Sequence, residues 1–508
     1  MQYIAAFDIG TTNVKGILVS QDGDILGETT RPIHTYNEEN RIEQDPEEWW
    51  KAVFEIANVW WQSGFQPEAV KAITLSGQME DCIPIDGEGK SVRRAILYSD
   101  SRADSEAQRI LAHLGEEEIW RKTGNHMDGQ MTFPKILWLR DHEQANFSKT
   151  ACFLISSKDY VIRQLTGRNI TDPTSAATAG MMNLVAREWV SNWLDSFALE
   201  SSYLPELLAP DEIAGYLTEA ASLLTGFKMN TPVLCGMGDA GATTLGAGVT
   251  ELGEMYAYLG TTGWVALPTD EISLRGSGIF HLAHAPKDLL IAIAPLLNAG
   301  NVHNWALSVF GDPNLLDSQE GFAYLEEIMA NSDPSIRQVI FLPYLNGERC
   351  PIQDPEASGS FVGLRATTTR GEMCAAVLEG VAMAVRQVME LLLGENEIRR
   401  ITLIGGGSKS RAWNQIIADV CDCNVVVPKD SEYLPALGVA AAGFVHLGWS
   451  DSYADFSRRL LAMRPSEQYL PKERNARAYG KLYQNYLQIY PALAILSRQV
   501  VEVEMASR

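Results

Sequence analysis

An α/β protein of two related lobes with a cleft between them is what this sequence predicts, and three observations carry the prediction. A chain of 508 residues is too long for one hydrophobic core and comfortable for two. A strand, glycine turn and strand at the N-terminus recur half a chain later. Helices with recognisable caps surround both copies. Apolar residues at 46% and charged residues at 21% are ordinary globular usage, so each lobe should bury its own core.

Residues 4–9 form an apolar run that carries Asp8 and ends in Gly10, Thr11 and Thr12; residues 14–20 resume it before the polar turn at 21–24, the pattern of a β-hairpin. Asp45 is an N-cap residue followed by Pro46 at the first helical position and Glu48 at the third, and Trp49, Val53, Ile56 and Trp60 then share one helix face. The second hairpin spans residues 255–268, with Gly260, Thr261 and Thr262 repeating the first turn. Thr369 and Glu372 make a capping box, and Met373, Val377, Val381, Ala384 and Val388 follow at three- and four-residue steps. Residues 401–404 read as a strand before a glycine turn, and Arg411 opens a helix. The tail from residue 471 is helical in pattern, with Tyr479, Tyr483, Tyr486 and Tyr490 on successive turns, and should pack on the second lobe or a partner chain. Small residues at 243–249 suit a hinge, which divides the chain into lobes of residues 1–247 and 248–508.

The net charge of −23, from 41 basic and 64 acidic residues with no dense basic run, excludes a nucleic-acid partner and disfavours an anionic membrane surface. The N-terminus carries no export pattern, and the longest uncharged stretches are broken by Pro, Asn, His and Gly, so a cytoplasmic protein is expected. Seven scattered cysteines fit reduced thiols, and none joins histidines at a zinc spacing.

Asp8 ends a strand before a turn whose backbone can approach a ligand closely. The N–H groups of Gly10, Thr11, Thr12 and Asn13, with Lys15 nearby, can hold terminal phosphates, and Asp8 can orient a hydrated Mg²⁺. The second copy repeats the loop at Gly260, Thr261 and Thr262 but has Tyr258 in place of the aspartate. Two apposed phosphate loops with one carboxylate between them suit one metal-bound triphosphate. This duplication resembles the superfamily of actin, the heat-shock chaperones and hexokinase, which implies duplicated actin-like (ribonuclease H-like) ATPase domains with ATP in the cleft between them. Residues 401–410, containing Gly405, Gly406, Gly407 and Ser408, resemble its adenosine motif, with Asn414 as a further hydrogen-bonding group; an ordinary strand-to-helix turn is the alternative.

Two longer segments narrow the resemblance. Residues 359–379 resemble throughout the second signature of the FGGY carbohydrate kinases, and residues 132–142 resemble the first, with a departure at Gln130. The resemblance covers residues 3 to about 448. It implies ATP and Mg²⁺ as cofactors, a homodimer, Gly300 among the nucleotide-binding residues, and Asp239 of the Gly236-Met237-Gly238-Asp239 segment as the catalytic base and, with Asp8, a metal-facing carboxylate. Such a carboxylate can accept the proton of a sugar hydroxyl as it attacks the γ-phosphorus. Gln78, Met79 and Glu80 match the family's substrate segment, and Tyr98, Asp100 and Arg102 match a segment downstream; a structural ion pair between Asp100 and Arg102 is the alternative reading.

Among the subfamilies the xylulose kinases are most similar, which implies phosphorylation of D-xylulose, although Glu80 stands where they commonly have His. An ionised Glu80 would accept hydrogen bonds without donating them and would repel an aldonate. Other polyols or ketoses, such as glycerol, ribulose and pentitols, remain alternative substrates. An actin- or chaperone-like ATPase without a sugar substrate is the reading from another class.

Overall fold

The computed structural model describes all residues except 39–40, 274–277, 313–318, 331–338, 395, 397–399, 430 and 507–508, and the side chains of 319 and 497–506 also lie outside the described set. In the first half, β1 (Tyr3–Ile9), β2 (Asn13–Ser20) and β3 (Ile25–Pro32) form an antiparallel meander. α1 (Pro46–Gln62) crosses to β4 (Val70–Gly77), which lies parallel to β1. α3 (Ser157–Thr166) packs on the same face of the sheet as α1, the short α4 (Pro173–Ala177) packs in the core on the opposite face, and α2 (Thr132–His142) belongs to a separate apolar cluster. β5 (Ile213–Tyr216) and β6 (Pro232–Leu234) complete the order β5-β6-β4-β1-β2-β3, and β7 (Met237–Gly238) pairs with the end of β4 before α5 (Asp239–Gly246).

The second half repeats the plan. β8 (Tyr256–Leu259) and β9 (Gly263–Thr269) are the second hairpin, β10 (Phe280–Ala283) and β11 (Leu290–Leu296) extend it, and α6 (Gly300–Phe310) follows. α7 (Arg370–Leu393) leads to β12 (Arg400–Ile404), then α8 (Arg411–Cys421), β13 (Asn424–Pro428), α9 (Leu434–His446) and β14 (Ser466–Tyr469). The order is β10-β11-β9-β8-β12-β13-β14. With the extra edge strand β10 set aside, each sheet is an antiparallel meander, two parallel strands and an antiparallel edge strand.

The anticipated caps form. Asp45 accepts from the Glu47 N–H at the start of α1, and Thr369 and Glu372 close a capping box on α7. Trp49, Val53, Ile56 and Trp60 are all buried against the first sheet. The tail helix α10 (Glu473–Ala506) packs on the second core through Tyr479, Tyr483 and Tyr486. Among the described residues no helix is long and apolar enough to cross a membrane.

The small residues expected to form a hinge do something different. Most of that segment is helix α5, buried where α9 crosses it: a Cβ on Gly438 would stand 1.8 Å from the Ala242 carbonyl oxygen, and one on Gly246 would stand 2.1 Å from that of Leu434. Small size there permits close helix contact. α9, although late in the chain, packs on the first sheet, where the Thr74 hydroxyl donates to the Val439 carbonyl at 3.2 Å.

Candidate active site

The first glycine turn is held shut by the Gly10 N–H donating to the Asn13 carbonyl at 3.1 Å. Asp8 beside it is 7% exposed and accepts from the Ser76 hydroxyl at 2.8 Å; burial raises its pKa, with Ser76 and Lys15 partly opposing the shift. Lys15 reaches into the second half and donates to the Glu432 carbonyl at 2.7 Å. Thr12 is exposed, whereas the Thr11 hydroxyl turns inward to Gln78 Oε1 at 2.8 Å.

In the second turn, the Gly260 N–H donates to the Thr262 carbonyl, and the first turn of α6 docks on the loop through Gly300 N–H to the Gly260 carbonyl and Asn301 N–H to the Thr261 carbonyl. A Cβ on Gly300 would stand 2.3 Å from the Gly260 oxygen, so only glycine permits this approach. Where the first loop carries Asp8, Tyr258 stacks on Trp264 with ring centroids 4.0 Å apart. The turn after β12 passes through Gly405 at φ +92°, and a Cβ on Gly406 would project into open space. Ser408 donates to the Gly405 carbonyl, and buried Asn414 donates to the Ser408 carbonyl at 2.8 Å, so Asn414 braces the turn from behind.

These segments enclose a cleft of about 690 Å³ whose wall includes Asp8, Gly10, Lys15, Asp239, Gly405, Gly406 and Ser408. A neighbouring hollow of about 830 Å³ between Gly260, Thr261, Gly300, Gly407 and Trp413 shares Tyr258, Gly406 and Lys409 with it. His303 borders the hollow with its ring between Phe322 and Trp413, at centroid separations of 4.7 and 5.0 Å. Of these rings only Trp413 lay in a segment singled out from sequence, at the start of the helix after the glycine turn; the spacing of His303, one turn after Gly300, was the remaining signal.

Asp239 opens α5 because β7 runs beside β4, with Met237 opposite Ser76 and Gly238 opposite Gly77. Gly236, at φ +64°, lets the chain pass β4 where a Cβ would stand 1.9 Å from the Leu75 oxygen. Burial, and then the neighbouring Asp8 carboxylate, push the Asp239 pKa up to about 7, against a hydrogen bond from the Ala240 N–H. Asp8 and Asp239 thus come together, as the motifs implied.

In the segment expected to bind the sugar, Gln78 is 1% exposed and its amide is spent on the frame: it accepts from Thr11 and donates to Gln44 Oε1, while Gln44 Nε2 donates to the Thr11 carbonyl at 2.6 Å. Met79 lies against Gly238. Glu80 adopts φ +64°, a left-handed conformation costly for a residue with a side chain. Its carbonyl, with that of Leu97, accepts from the fully buried Lys135 Nζ at 2.9 and 2.7 Å. Burial and then Asp128 push the Glu80 carboxyl up to about 8, with Lys135 and Arg349 pulling the other way. Burial and Asp128 thus favour the protonated carboxyl over the ionised Glu80 expected from sequence. Tyr98 is 40% exposed. Asp100 is fully buried and accepts from Arg102 Nε at 2.8 Å, Arg102 Nη2 at 2.6 Å and the Ile42 N–H at 2.7 Å. Burial opposes its ionisation, but these donors hold its pKa below the ordinary range. Asp100 and Arg102 form the ion pair left open as the alternative.

Residues 3–246 match the N-terminal domain of the FGGY family of carbohydrate kinases, and residues 255–447 match its C-terminal domain. The chain belongs to that family. It is 28% identical over 493 residues to a xylulose kinase of Staphylococcus xylosus, covering 96% of this chain and 100% of the relative. The structure of a ligand-bound xylulose kinase from Lactobacillus acidophilus superposes with a TM-score of 0.88 at 26% identity, over 97% of this chain and 99% of the other. A gluconate kinase from the same organism gives 0.87 at 27% identity, over 97% and 98%. This FGGY kinase thus has the two-domain actin-like fold of a carbohydrate kinase, a family that implies the use of ATP.

Proposed function

We propose that this FGGY kinase transfers the γ-phosphoryl group of ATP to a hydroxyl of a small ketose, D-xylulose first, giving xylulose 5-phosphate. The observation that carries the reading is Asp239: a carboxylate at the cleft floor, between the first phosphate loop and the Gln78–Glu80 segment, whose pKa near 7 suits a base working at neutral pH. Asp239 accepts the hydroxyl proton as the oxygen attacks. The Gly10 and Gly260 turns offer N–H groups to the phosphates, and Lys15, Lys409, Arg411 and Lys429 line the same cleft, where they balance Asp8, Asp239, Glu432 and Glu467.

The donor set fits Mg²⁺. Asp8 and Asp239 are hard oxygen donors near enough that each disfavours the other's charge, and a cation would relieve that repulsion. Asp8 would hold the ion and Asp239 face it; bound there, Mg²⁺ would neutralise charge on the transferring phosphate. Gly406 leaves open space for a nucleoside against the backbone. Beside Glu80 stands Asp128, whose charge would oppose that of an aldonate, which favours a neutral sugar.

An ADP-release screen across pentuloses, hexuloses, pentitols, glycerol and aldonates tests the reading. The highest kcat/KM is expected on xylulose. A preference for gluconate would overturn the substrate, and the absence of any sugar-dependent ADP release would overturn the reaction.

A further inference from the structure

Beneath the cleft lies a buried charge cluster that the reaction as described does not use. Lys158, in the first turn of α3, is 0% exposed, and its Nζ lies 2.6 Å from Asp159 Oδ1 and 3.0 Å from Asp172 Oδ1, both carboxylates also being fully buried. Asp159 caps α3 by accepting from the Ser156 N–H. Asp172 caps α4, where its Oδ2 accepts from the Thr174 and Ser175 N–H groups at 2.8 and 3.1 Å, and the same oxygen takes the N–H of Gly238 at 3.3 Å. Gly238 immediately precedes Asp239.

The N-terminus of α3 also touches the other two segments of the site. The Ser157 hydroxyl donates to the Ile9 carbonyl, just before the first phosphate loop, at 2.8 Å, and its N–H donates to the Gln78 carbonyl at 3.3 Å. A Cβ on Gly77 would stand 2.7 Å from the Lys158 nitrogen, so strand and helix are in backbone contact. Desolvation offsets much of the attraction in such a cluster, so stability alone is a weak reason for three buried charges. What the cluster does supply is a rigid connection between three segments that must hold register with one another.

We propose that Lys158 is a positioning residue for phosphoryl transfer: through Asp172 and the Gly238 N–H it fixes Asp239 relative to the phosphate loop and the sugar segment. This rests on the reading of Asp239 as the base. Lys158→Met and Asp172→Asn each break the ionic link, and Asn retains the acceptor that caps α4.

Because a small displacement of a reacting group is costly, each single variant is expected to lower kcat roughly 10- to 100-fold with KM for ATP changed less than about twofold. The double variant should be no slower than the slower single one, as for two members of one linkage. Assays run well below each variant's Tm on the folded fraction, and if Lys158→Met does not fold, Asp172→Asn alone carries the kcat test. Unchanged kcat in the folded variants, whatever their Tm, overturns the proposal, as do multiplicative losses in the double variant. Asp239→Asn measured in parallel separates the two ideas: near-normal kcat there removes the base and this proposal with it, whereas a slow Asp239→Asn beside normal Lys158 and Asp172 variants removes the proposal alone.

Discussion

Asp239 and Glu80 are two acidic residues held at a cost. The folded-state pKa of Asp239 is raised from 3.8 to about 7. The folded protein therefore binds its proton more tightly than the unfolded chain, so this group's contribution to stability declines as pH rises from about 4 to 7 and its penalty is fully present above 7. Asp239→Asn should reduce kcat by about 10² or more with little change in ATP affinity, and its Tm relative to wild type should be higher at pH 8 than at pH 5. Steady-state kinetics and paired melts check both. Glu80 combines a raised pKa with left-handed backbone, a pairing that collects at functional sites. Glu80→Gln, an isostere of the protonated form, should keep sugar kcat/KM within a few-fold at pH 7 and lose the decline expected of wild type above pH 8. Glu80→Gly should lower kcat/KM by about tenfold or more without lowering Tm, because glycine carries no penalty at φ +64°. A lower Tm would make Glu80 a structural residue.

At the scale of elements, α5 does two jobs, since it carries Asp239 at its N-terminus and crosses α9 through small residues. Gly438→Ala places a Cβ 1.8 Å from the Ala242 oxygen, which must force the helices apart. A loss of about 1–3 kcal/mol or more is expected, with a fall in kcat because α5 moves. Gly480→Ala on α10, where a Cβ meets nothing within 4 Å, is the control and should gain about 0.5–1 kcal/mol from helix propensity. Denaturant melts with kcat measured on the same samples compare the two. The caps of α1 and α7 were legible in sequence because a cap is a contact between residues two or three apart. The α5–α9 crossing was not, because nothing local distinguishes a glycine that bends a chain from one that admits a neighbouring helix.

The halves of the molecule share a buried core where α9 packs on the first sheet, and directional contacts join them as well. Asn125 exchanges hydrogen bonds with the backbone of His281 at 2.7 and 2.8 Å, Thr174 donates to the Ala283 carbonyl at 2.8 Å, and Lys15 donates to the Glu432 carbonyl at 2.7 Å. Closure of the cleft on substrate is expected to complete the site and exclude water from the phosphate. Sugar with a nonhydrolysable ATP analogue should compact the protein in small-angle scattering and sugar should stimulate ATP turnover; an unchanged radius of gyration would count against closure.

The duplicated hairpins, the glycine turns and the capped helices could all be read from sequence, because each depends on neighbours in the chain and on backbone geometry that few residues tolerate; the segment carrying Asp239 was marked by its resemblance to the family. Protonation and partner choice could not. Glu80 is an ordinary carboxylate until folding buries it beside Asp128, and Gln78 and Asp100 are plausible sugar ligands until their atoms are spent on Thr11, Gln44 and Arg102. Lys158 joins the site only when α3, α4 and β7 are brought together. Desolvation and long-range hydrogen bonding are set by residues far apart in the chain, so the tertiary structure alone decided which polar groups face the cleft and which hold it in shape.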